Sequence, residues 1–421
     1  MSAAHHGTAS DAVTGWLARR AVPLDSLHAG TPATDLQPLK RILDGVRVLA
    51  LGEATHGTRE FFLLKHRLLE FVVTELGFCV LAMEASESAA PAVDAHVRQG
   101  TGNAAEAVAG LGFWTWRTQE VLAMTEWMRD HNRQRPAAGQ VRFAGIDAQH
   151  CGASLTALTP VLHALAPDRA DGLLEPLRVL RDARPGAHPD PGQRLRHRAE
   201  RLLEFLQERA PEAADALRHA RILVRAADLV TRAGRHTDPL RTVRAVRDRY
   251  MADAVAELLD ADPSARVVLW AHNGHIAKHR PPGGVPPMGQ YLHERYGDAY
   301  YAMALLFGSG AFRARRTWPG PWSRPAGPVT GHRLGPPAEG TLEARLAAAH
   351  PADHLLDLRD TGEAPAAVRQ WLGEPQLHRT FGAVVPRWTY RLHHAPVTLA
   401  REYDGLAYTA VSTPSRPYDI A

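Results

Sequence analysis

The chain has 421 residues, of which 45% are hydrophobic and 22% charged, as in ordinary globular proteins with a large core. Lys+Arg 49 against Asp+Glu 45 gives a net charge of only +4, spread along the chain, so nucleic acid is not an expected partner. No apolar run approaches the roughly 20 residues that span a bilayer, and the N-terminus lacks a signal-peptide pattern. We therefore expect no membrane partner and a cytoplasmic location.

Short apolar runs rich in β-forming residues recur along the chain and predict strands. They are VRVLAL (46–51), CVLAM (79–83), VRFAGI (141–146), ARVVLW (265–270) and YYAMALL (300–306). Such runs are typical of strands buried on both faces of a largely parallel sheet, with helices as crossovers. In the first crossover, Thr58 is placed to cap a helix that ends at Gly77.

Between 154 and 262 the strand pattern stops and helical periodicity replaces it. This predicts a helical subdomain inserted into a single domain of residues 1–421. We interpret its many arginines and glutamates as solvated helix faces. The Pro-, Gly-, Arg- and Trp-rich stretch 310–340 predicts a long loop, after which strand-like segments resume near 381–385 and 396–410.

Polar clusters follow four of the predicted strands, at the sheet edge where open parallel sheets bind ligands. The first cluster contains Glu53 and His56, three residues apart at a strand-to-helix turn. A carboxylate beside an imidazole fixes its tautomer and raises its basicity, as a general base requires. The structural alternative is that Glu53 caps the following helix and His56 packs in the core.

The other three clusters add acids and histidines to the same predicted edge. Glu84 ends the second strand and Asp147 the third. Either carboxylate is explained by a structural ion pair or helix cap as well as by a site. Two histidines in the fourth cluster, His272 and His275, are candidates to bind an oxyanion or to protonate a leaving alkoxide.

The segment FWTWRT (113–118) is dense in aromatic residues and is a candidate wall of an apolar substrate pocket. Core packing explains the same aromatics equally well. The candidate substrate-binding residues are Trp114, Trp116, Thr118, Asp147 and Asn273. The chain contains no G-x-S-x-G elbow, Walker A loop, strand-linked G-x-G-x-x-G or H-E-x-x-H motif, which disfavours serine-hydrolase, P-loop and Rossmann functions.

Taken in order, several segments resemble the erythromycin-esterase family over almost the whole chain. They are GEATHGTREFFLLKHRLL, MEAS, FWTWRTQEVLAMTEWMRDHN, GIDAQ, RDRYMADAVAELL and WAHNGHI. The resemblance implies an α/β fold with a three-layer α/β/α core, a largely parallel sheet and a helical insertion. It also implies direct hydrolysis of a small apolar ester or lactone, such as a macrolide, without a required metal or other cofactor.

Carried over by motif, His56 becomes the base that activates water, with Glu53 and Glu84 as its acidic partners. Lys65 falls where the family's macrolide esterases are expected to have arginine, so the charge is kept but the bidentate fork is lost. Either His272 or His275 completes the site, and the sequence leaves that choice open.

Two other functions remain in competition at this stage. The same base would serve a biosynthetic cyclase, acyl transferase or lyase, because removing a proton from carbon or from water needs the same poised group. A ChaN-like haem-binding protein would share the fold, but it is expected to carry an export signal and a lipid-anchor cysteine, which this sequence lacks.

Overall fold

The computed structural model describes residues 2–281, 283–317 and 325–419. Its strands are β1 (Val22–Pro23), β2 (Val48–Leu51), β3 (Val80–Ser86), β4 (Arg142–Asp147), β5 (Val267–Trp270), β6 (Tyr300–Thr317), β7 (Pro325–Leu334), β8 (His354–Asp357), β9 (Gln376–Arg379), β10 (Val384–Pro386), β11 (His394–Val397) and β12 (Gly405–Ser412). The five runs predicted as strands are all confirmed.

The strands form one large sheet and one small one. The large sheet has the order β1-β8-β12-β6-β2-β5-β3-β4, with β7 and β10 also pairing with β6. Pairing is parallel from β12 through β4, whereas β1, β7 and β8 run antiparallel to their neighbours. The short strands β9 and β11 pair separately. The predicted α/β class with a largely parallel sheet is therefore confirmed.

Helices connect and cover the strands. They are α1 (Ser2–Arg20), α2 (Leu39–Ile42), α3 (Arg59–Leu76), α4 (Ala90–Gln99), α5 (Ala104–Gly110), α6 (Gln119–Asn132), α7 (Gly152–Leu165), α8 (Pro167–Leu174), α9 (Arg194–Arg209), α10 (Ala214–Thr231), α11 (Val243–Ala261), α12 (Asn273–Ile276), α13 (Met288–Tyr296), α14 (Leu342–Ala349), α15 (Ala366–Gly373) and α16 (Leu399–Glu402). Within the described ranges, none of them combines the length and apolarity needed to cross a membrane.

The first crossover helix, α3, begins and ends as the sequence predicts. Gly77 ends it with φ 71°, a left-handed conformation that glycine adopts at little cost. Thr58 is the N-cap residue, but its side chain makes no capping hydrogen bond, and its hydroxyl is buried without a partner among the described residues. The prediction that Thr58 caps the helix is thus right in position and wrong in mechanism.

The segment 310–340 is not a loop throughout. β6 continues to Thr317 and pairs antiparallel with β7, so the described part is mainly a β-hairpin, and residues 318–324 of the predicted loop lie outside the described residues. Proline and glycine suggested a loop, but Phe312 and Ala314 are buried in alternation with more exposed arginines, which is a strand pattern.

Two hydrophobic clusters form the interior. The larger contains the sheet strands and the helices packed on them, including Phe62 and Trp116. The smaller lies within residues 151–230 and contains Leu158, Leu202 and Leu223 from three different helices. The division into one domain with an insertion at 154–262 stays a prediction.

Candidate active site

Parallel pairing brings the ends of four strands to one edge of the sheet. β2, β5, β3 and β4 lie side by side, and Trp270 at the end of β5 has Leu51 and Met83 as its cross-strand neighbours. Glu53 and Glu84 follow directly after these positions, on either side of the loop that follows β5. The sheet therefore places the predicted clusters together.

Glu53 is fully buried and accepts three hydrogen bonds from side chains. His56 Nδ1 donates to Oε1 at 2.7 Å, while Lys65 Nζ at 2.7 Å and Trp270 Nε1 at 2.9 Å donate to Oε2. Burial alone would raise the pKa of Glu53, but the charges of Lys65 and His56 and their hydrogen bonds outweigh it and lower the pKa. Glu53 is therefore a carboxylate held on both oxygens.

His56 takes its tautomer from this carboxylate. Because an ionised carboxylate only accepts hydrogen bonds, the contact requires a proton on His56 Nδ1, so Nε2 is the nitrogen that can carry a lone pair. None of the described residues hydrogen-bonds to Nε2, and the side chain is 12% exposed. Nε2 is therefore the ring nitrogen that the described residues leave without a hydrogen bond.

Glu84 lies in the same site but contacts a different set of groups. Arg247 Nη2 donates to Glu84 Oε1 at 2.6 Å and to Asp147 Oδ2 at 2.7 Å, and the backbone N–H of His272 donates to Glu84 Oε2 at 3.0 Å. Against the effect of burial, the positive charges of His275 and Arg247 hold the pKa of Glu84 well below its usual value. Glu84 makes its hydrogen bonds to these groups rather than to His56.

His275 is a buried cation beside this ion pair. Its Nδ1 donates to Asp248 Oδ1 at 2.6 Å, and its Nε2 lies 3.4 Å from Glu84 Oε1 and 3.1 Å from Arg247 Nη1. Burial alone would lower the pKa of His275, but the carboxylates of Asp248 and Glu84 raise it to about 10.

His272 is neutral and has no ring nitrogen to offer. Its Nε2–H donates to Phe381 O at 2.9 Å, and its Nδ1 accepts from Gly274 N at 3.1 Å. Burial, together with the neighbouring His56 and His275, lowers the pKa of His272 to about 3. The two histidines that the sequence could not separate thus differ in the direction of their pKa shifts, which is downward for His272 and upward for His275.

The Asn273 side chain makes its hydrogen bonds to the backbone of β6. Its Nδ2 donates to Leu305 O at 3.0 Å, and its Oδ1 accepts from Leu305 N at 3.1 Å, which ties the loop after β5 to β6. A Cβ atom on Gly52 would lie 2.0 Å from that Oδ1, so only glycine fits beneath the amide. Both polar atoms of the Asn273 side chain are thus bonded to β6, and its predicted role in substrate binding stays a prediction.

The aromatic segment divides between core and surface. The Trp116 ring is buried and lies edge-on to His56, with centroids 5.9 Å apart, and its Nε1 donates to Glu84 O. Trp114 is half-buried, and its ring lies under the guanidinium of Arg313. Thr118 is buried and caps α6 through its hydroxyl. Trp116 therefore borders His56, whereas the Thr118 hydroxyl caps a helix, and their role in substrate binding stays a prediction.

Sequence reasoning missed Arg247, Asp248 and Phe381. The charged residues of the 154–262 segment were interpreted as solvated, which is wrong for Arg247, whose side chain is only 18% exposed and binds two carboxylates. The one available signal was that Arg247 and Asp248 are adjacent in RDRYMADAVAELL, one of the segments that resemble the family. Phe381 contributes a backbone carbonyl, which no side-chain pattern predicts.

Other features do not coincide with these groups. A cavity of about 800 Å³ opens beside α4, β4 and α10, where Arg98 pairs with Asp94 and Arg218 with Asp215. Those charges are paired, and His219, which also lines the cavity, bonds through Nδ1 to Ser154 Oγ at 2.9 Å. Nor do the described residues group three or more His, Cys, Asp or Glu side chains as metal ligands.

The family model for erythromycin esterase matches residues 73–411. This range contains Glu84, Arg247 and both histidines after β5, and it begins after Glu53 and His56.

Curated relatives match over most of their length. A putative hydrolase, YbfO, of Bacillus subtilis (strain 168) is 24% identical, and the alignment covers 95% of this chain and 91% of that protein. An erythromycin esterase type II of Escherichia coli is 24% identical, with 83% of this chain and 89% of its own covered.

Solved structures share the fold. A succinoglycan biosynthesis protein superimposes with a TM-score of 0.79 at 21% identity, covering 99% of this chain and 100% of its own. A mutant of the erythromycin esterase EreC in its open conformation gives 0.68 at 18% identity, covering 94% and 98%.

Proposed function

The chain belongs to the erythromycin esterase family, and from this premise we propose that it hydrolyses a carboxylic ester or lactone of a small molecule with His56 as general base. The observation that carries the proposal is the 2.7 Å contact between His56 Nδ1 and Glu53. It leaves Nε2 as the basic nitrogen at the cleft, where a water molecule is within reach of a bound ester.

In the proposed reaction, Nε2 of His56 removes a proton from water as the water oxygen attacks the carbonyl carbon. The tetrahedral oxyanion then collapses, the bond from carbon to the leaving oxygen breaks, and the alkoxide takes a proton. Glu53 stabilises the imidazolium that forms in the first step. Lys65 positions Glu53 and does not contact substrate, since its ammonium lies against Glu53 and the Trp270 ring.

We assign the second histidine role to His275. Asp248 and Glu84 raise its pKa, and both its ring nitrogens lie against protein groups, so in this proposal it acts through positive charge that stabilises the oxyanion. His272 has both ring nitrogens bound within the protein, and its role is to hold the loop after β5 against Phe381.

The substrate class follows from the relatives and the aromatic wall. One relative is named an erythromycin esterase, and Trp116 borders the base, which supports an ester or lactone set in an apolar framework such as a macrolide. The competing chemistry is a biosynthetic elimination, cyclisation or acyl transfer that uses the same base on carbon or on an alcohol.

Product analysis in ¹⁸O-labelled water tests the proposal. Erythromycin, simple lactones and 4-nitrophenyl esters are incubated with the wild-type protein, with His56→Gln and with His163→Gln, whose histidine is an exposed residue of α7. We expect one solvent oxygen in each acid product, abolished only by the His56 substitution. A product without solvent oxygen would mean that the site carries out elimination, cyclisation or acyl transfer instead of hydrolysis. Full activity in His56→Gln would show that His56 is not the general base.

A further inference from the structure

Arg313 is a half-buried cation whose backbone contacts Gly57, the residue after the candidate base. Its N–H donates to Gly57 O at 3.1 Å, one residue after His56. A Cβ atom on Gly57 would lie 2.0 Å from Arg313 O, so the two backbones approach as closely as glycine permits. This contact fixes Arg313, in the extended part of β6, at the margin of the site.

The guanidinium of Arg313 has an aromatic neighbour but no carboxylate. Its central carbon lies 5.4 Å from the ring centroid of Trp114, and Nη1 is 3.5 Å from Ser415 Oγ. No acid of the described residues lies within ion-pair distance of it. Glu120, the nearest acid that acts on its charge, is already paired with Arg59 at 3.2 Å.

A partly buried cation without an ion pair is costly, and burial accordingly lowers the pKa of Arg313. The planar guanidinium donates in a fork that matches a carboxylate, and the Trp114 ring orients it. An anion seated on this guanidinium would replace the missing carboxylate partner.

The strands around Arg313 carry the same charge. The sequence has five arginines and no Asp or Glu between Asp298 and Glu339, and four arginines and no Asp or Glu between Glu374 and Glu402. From these two stretches, β7 and β10 each pair with β6, and the Phe381 carbonyl accepts a hydrogen bond from His272. These two stretches are therefore more positive than the chain as a whole, which carries only +4.

We propose that the ester substrate carries a negatively charged group, such as a carboxylate, and that Arg313 binds this group against Trp114. The inference rests on the proposed ester hydrolysis and narrows its substrate from any macrolide-like ester to one that carries an anionic group, which erythromycin, an amine, lacks. Arg313 is thus a specificity-determining residue. It selects substrates that carry an anionic group at some distance from the scissile carbonyl.

Binding is tested without turnover. Calorimetric titration with suberate, an eight-carbon dicarboxylate, is compared with the uncharged diamide of the same acid. We expect suberate to bind at least tenfold more tightly, with affinity falling as salt rises. Arg313→Gln should lose that preference, Arg313→Lys should keep part of it, and Arg201→Gln, an exposed arginine of α9, should behave as wild type. Equal binding of diacid and diamide, or unchanged suberate binding in Arg313→Gln, overturns the inference.

Turnover separates this inference from the proposed function. 4-Nitrophenyl esters with eight-carbon acyl chains that end in a carboxylate, a methyl ester or a trimethylammonium group are compared under identical conditions. Arg313→Gln should lower kcat/KM for the anionic ester roughly tenfold more than for the neutral one. Hydrolysis of all three esters without charge preference contradicts the proposed anion site, while the proposed ester hydrolysis still stands. Selective binding of suberate without hydrolysis of any ester contradicts the proposed ester hydrolysis, while the proposed anion site still stands.

Discussion

Glu53 connects the slightly exposed imidazole of His56 to the fully buried ammonium of Lys65. One of its oxygens bonds to His56 and the other to Lys65 and Trp270, so the carboxylate neither rotates nor takes a proton easily. The sequence allowed the Glu53–His56 pair to be predicted because three residues on a strand-to-helix turn lie close together. It gave no indication that Trp270 would share the carboxylate, because that contact depends on the order of strands in the sheet.

Lys65 should set the alkaline limit of activity. Burial lowers its pKa to about 8 even though Glu53 opposes the shift, so the ammonium loses its proton above that pH and Glu53 loses its charged partner. Lys65→Arg keeps the charge, and we expect its alkaline limb in a pH profile of kcat/KM to lie about one pH unit or more higher. The matched control is Lys40→Arg, an exposed residue paired with Glu75. Identical limbs in the wild type and Lys65→Arg would contradict this role of Lys65.

His275 should be an imidazolium at neutral pH. Burial disfavours the charge, but Asp248 and Glu84 raise its pKa to about 10, so this group stabilises the fold fully below the unfolded-state pKa of about 6.5 and loses that contribution as pH rises through 10. Asp248→Asn should lower the pKa by about 1–3 units, as read from ¹⁵N chemical shifts of the labelled ring. Asp253→Asn changes a half-exposed acid of the same helix and should leave the shifts unaltered. A neutral His275 at pH 7 in the wild type would refute the assignment.

At the scale of elements, the site depends on short turns after parallel strands. Continuous apolar runs predicted β2 to β6, and the polar residues after them fell at the predicted edge. The β6–β7 hairpin was missed because proline and glycine outweighed the alternation of Phe312 and Ala314 with arginine. Strand pairing there comes from partners distant in sequence, such as β10, which local composition does not report.

Gly52 should be intolerant of any side chain. Alanine at this position would bring its Cβ within 2.0 Å of Asn273 Oδ1 and push the loop after β5 away from β6. We expect Gly52→Ala to lower the free energy of unfolding by about 1–3 kcal/mol and to reduce kcat with it. Gly172, inside α8 with no atom within 4 Å of its Cβ position, is the control: alanine there should stabilise by about 0.5–1 kcal/mol. Urea denaturation of both variants measures the difference, and equal stabilities would contradict the packing described.

Across the whole molecule, α11 joins the helical segment to the sheet. Its Arg247 bridges the carboxylates that end β3 and β4, Glu84 and Asp147, and its Asp248 holds His275. A single sequence cannot separate Arg247 from the exposed arginines around it, because only docking of the helix on the sheet determines which of them is buried.

Removing Arg247 should therefore damage stability as well as the site. Arg247→Met leaves two buried carboxylates without their cation, which costs about 3–5 kcal/mol of unfolding free energy. Arg249→Met, on the exposed face of the same helix, should change it by less than about 0.5 kcal/mol. Chemical denaturation monitored by circular dichroism distinguishes the two, and a small effect of Arg247→Met would mean that the ion-pair cluster does not hold α11 to the sheet.

The most direct test of the whole account is a double-mutant cycle on Glu53 and His56, measured as kcat/KM for a 4-nitrophenyl ester. If His56 is the base and Glu53 acts only through it, His56→Gln should cost about a thousandfold, Glu53→Gln about a hundredfold, and the double variant no more than His56→Gln alone. Multiplicative losses, or an active His56→Gln protein with a native unfolding transition, would contradict the account and place the catalytic base elsewhere.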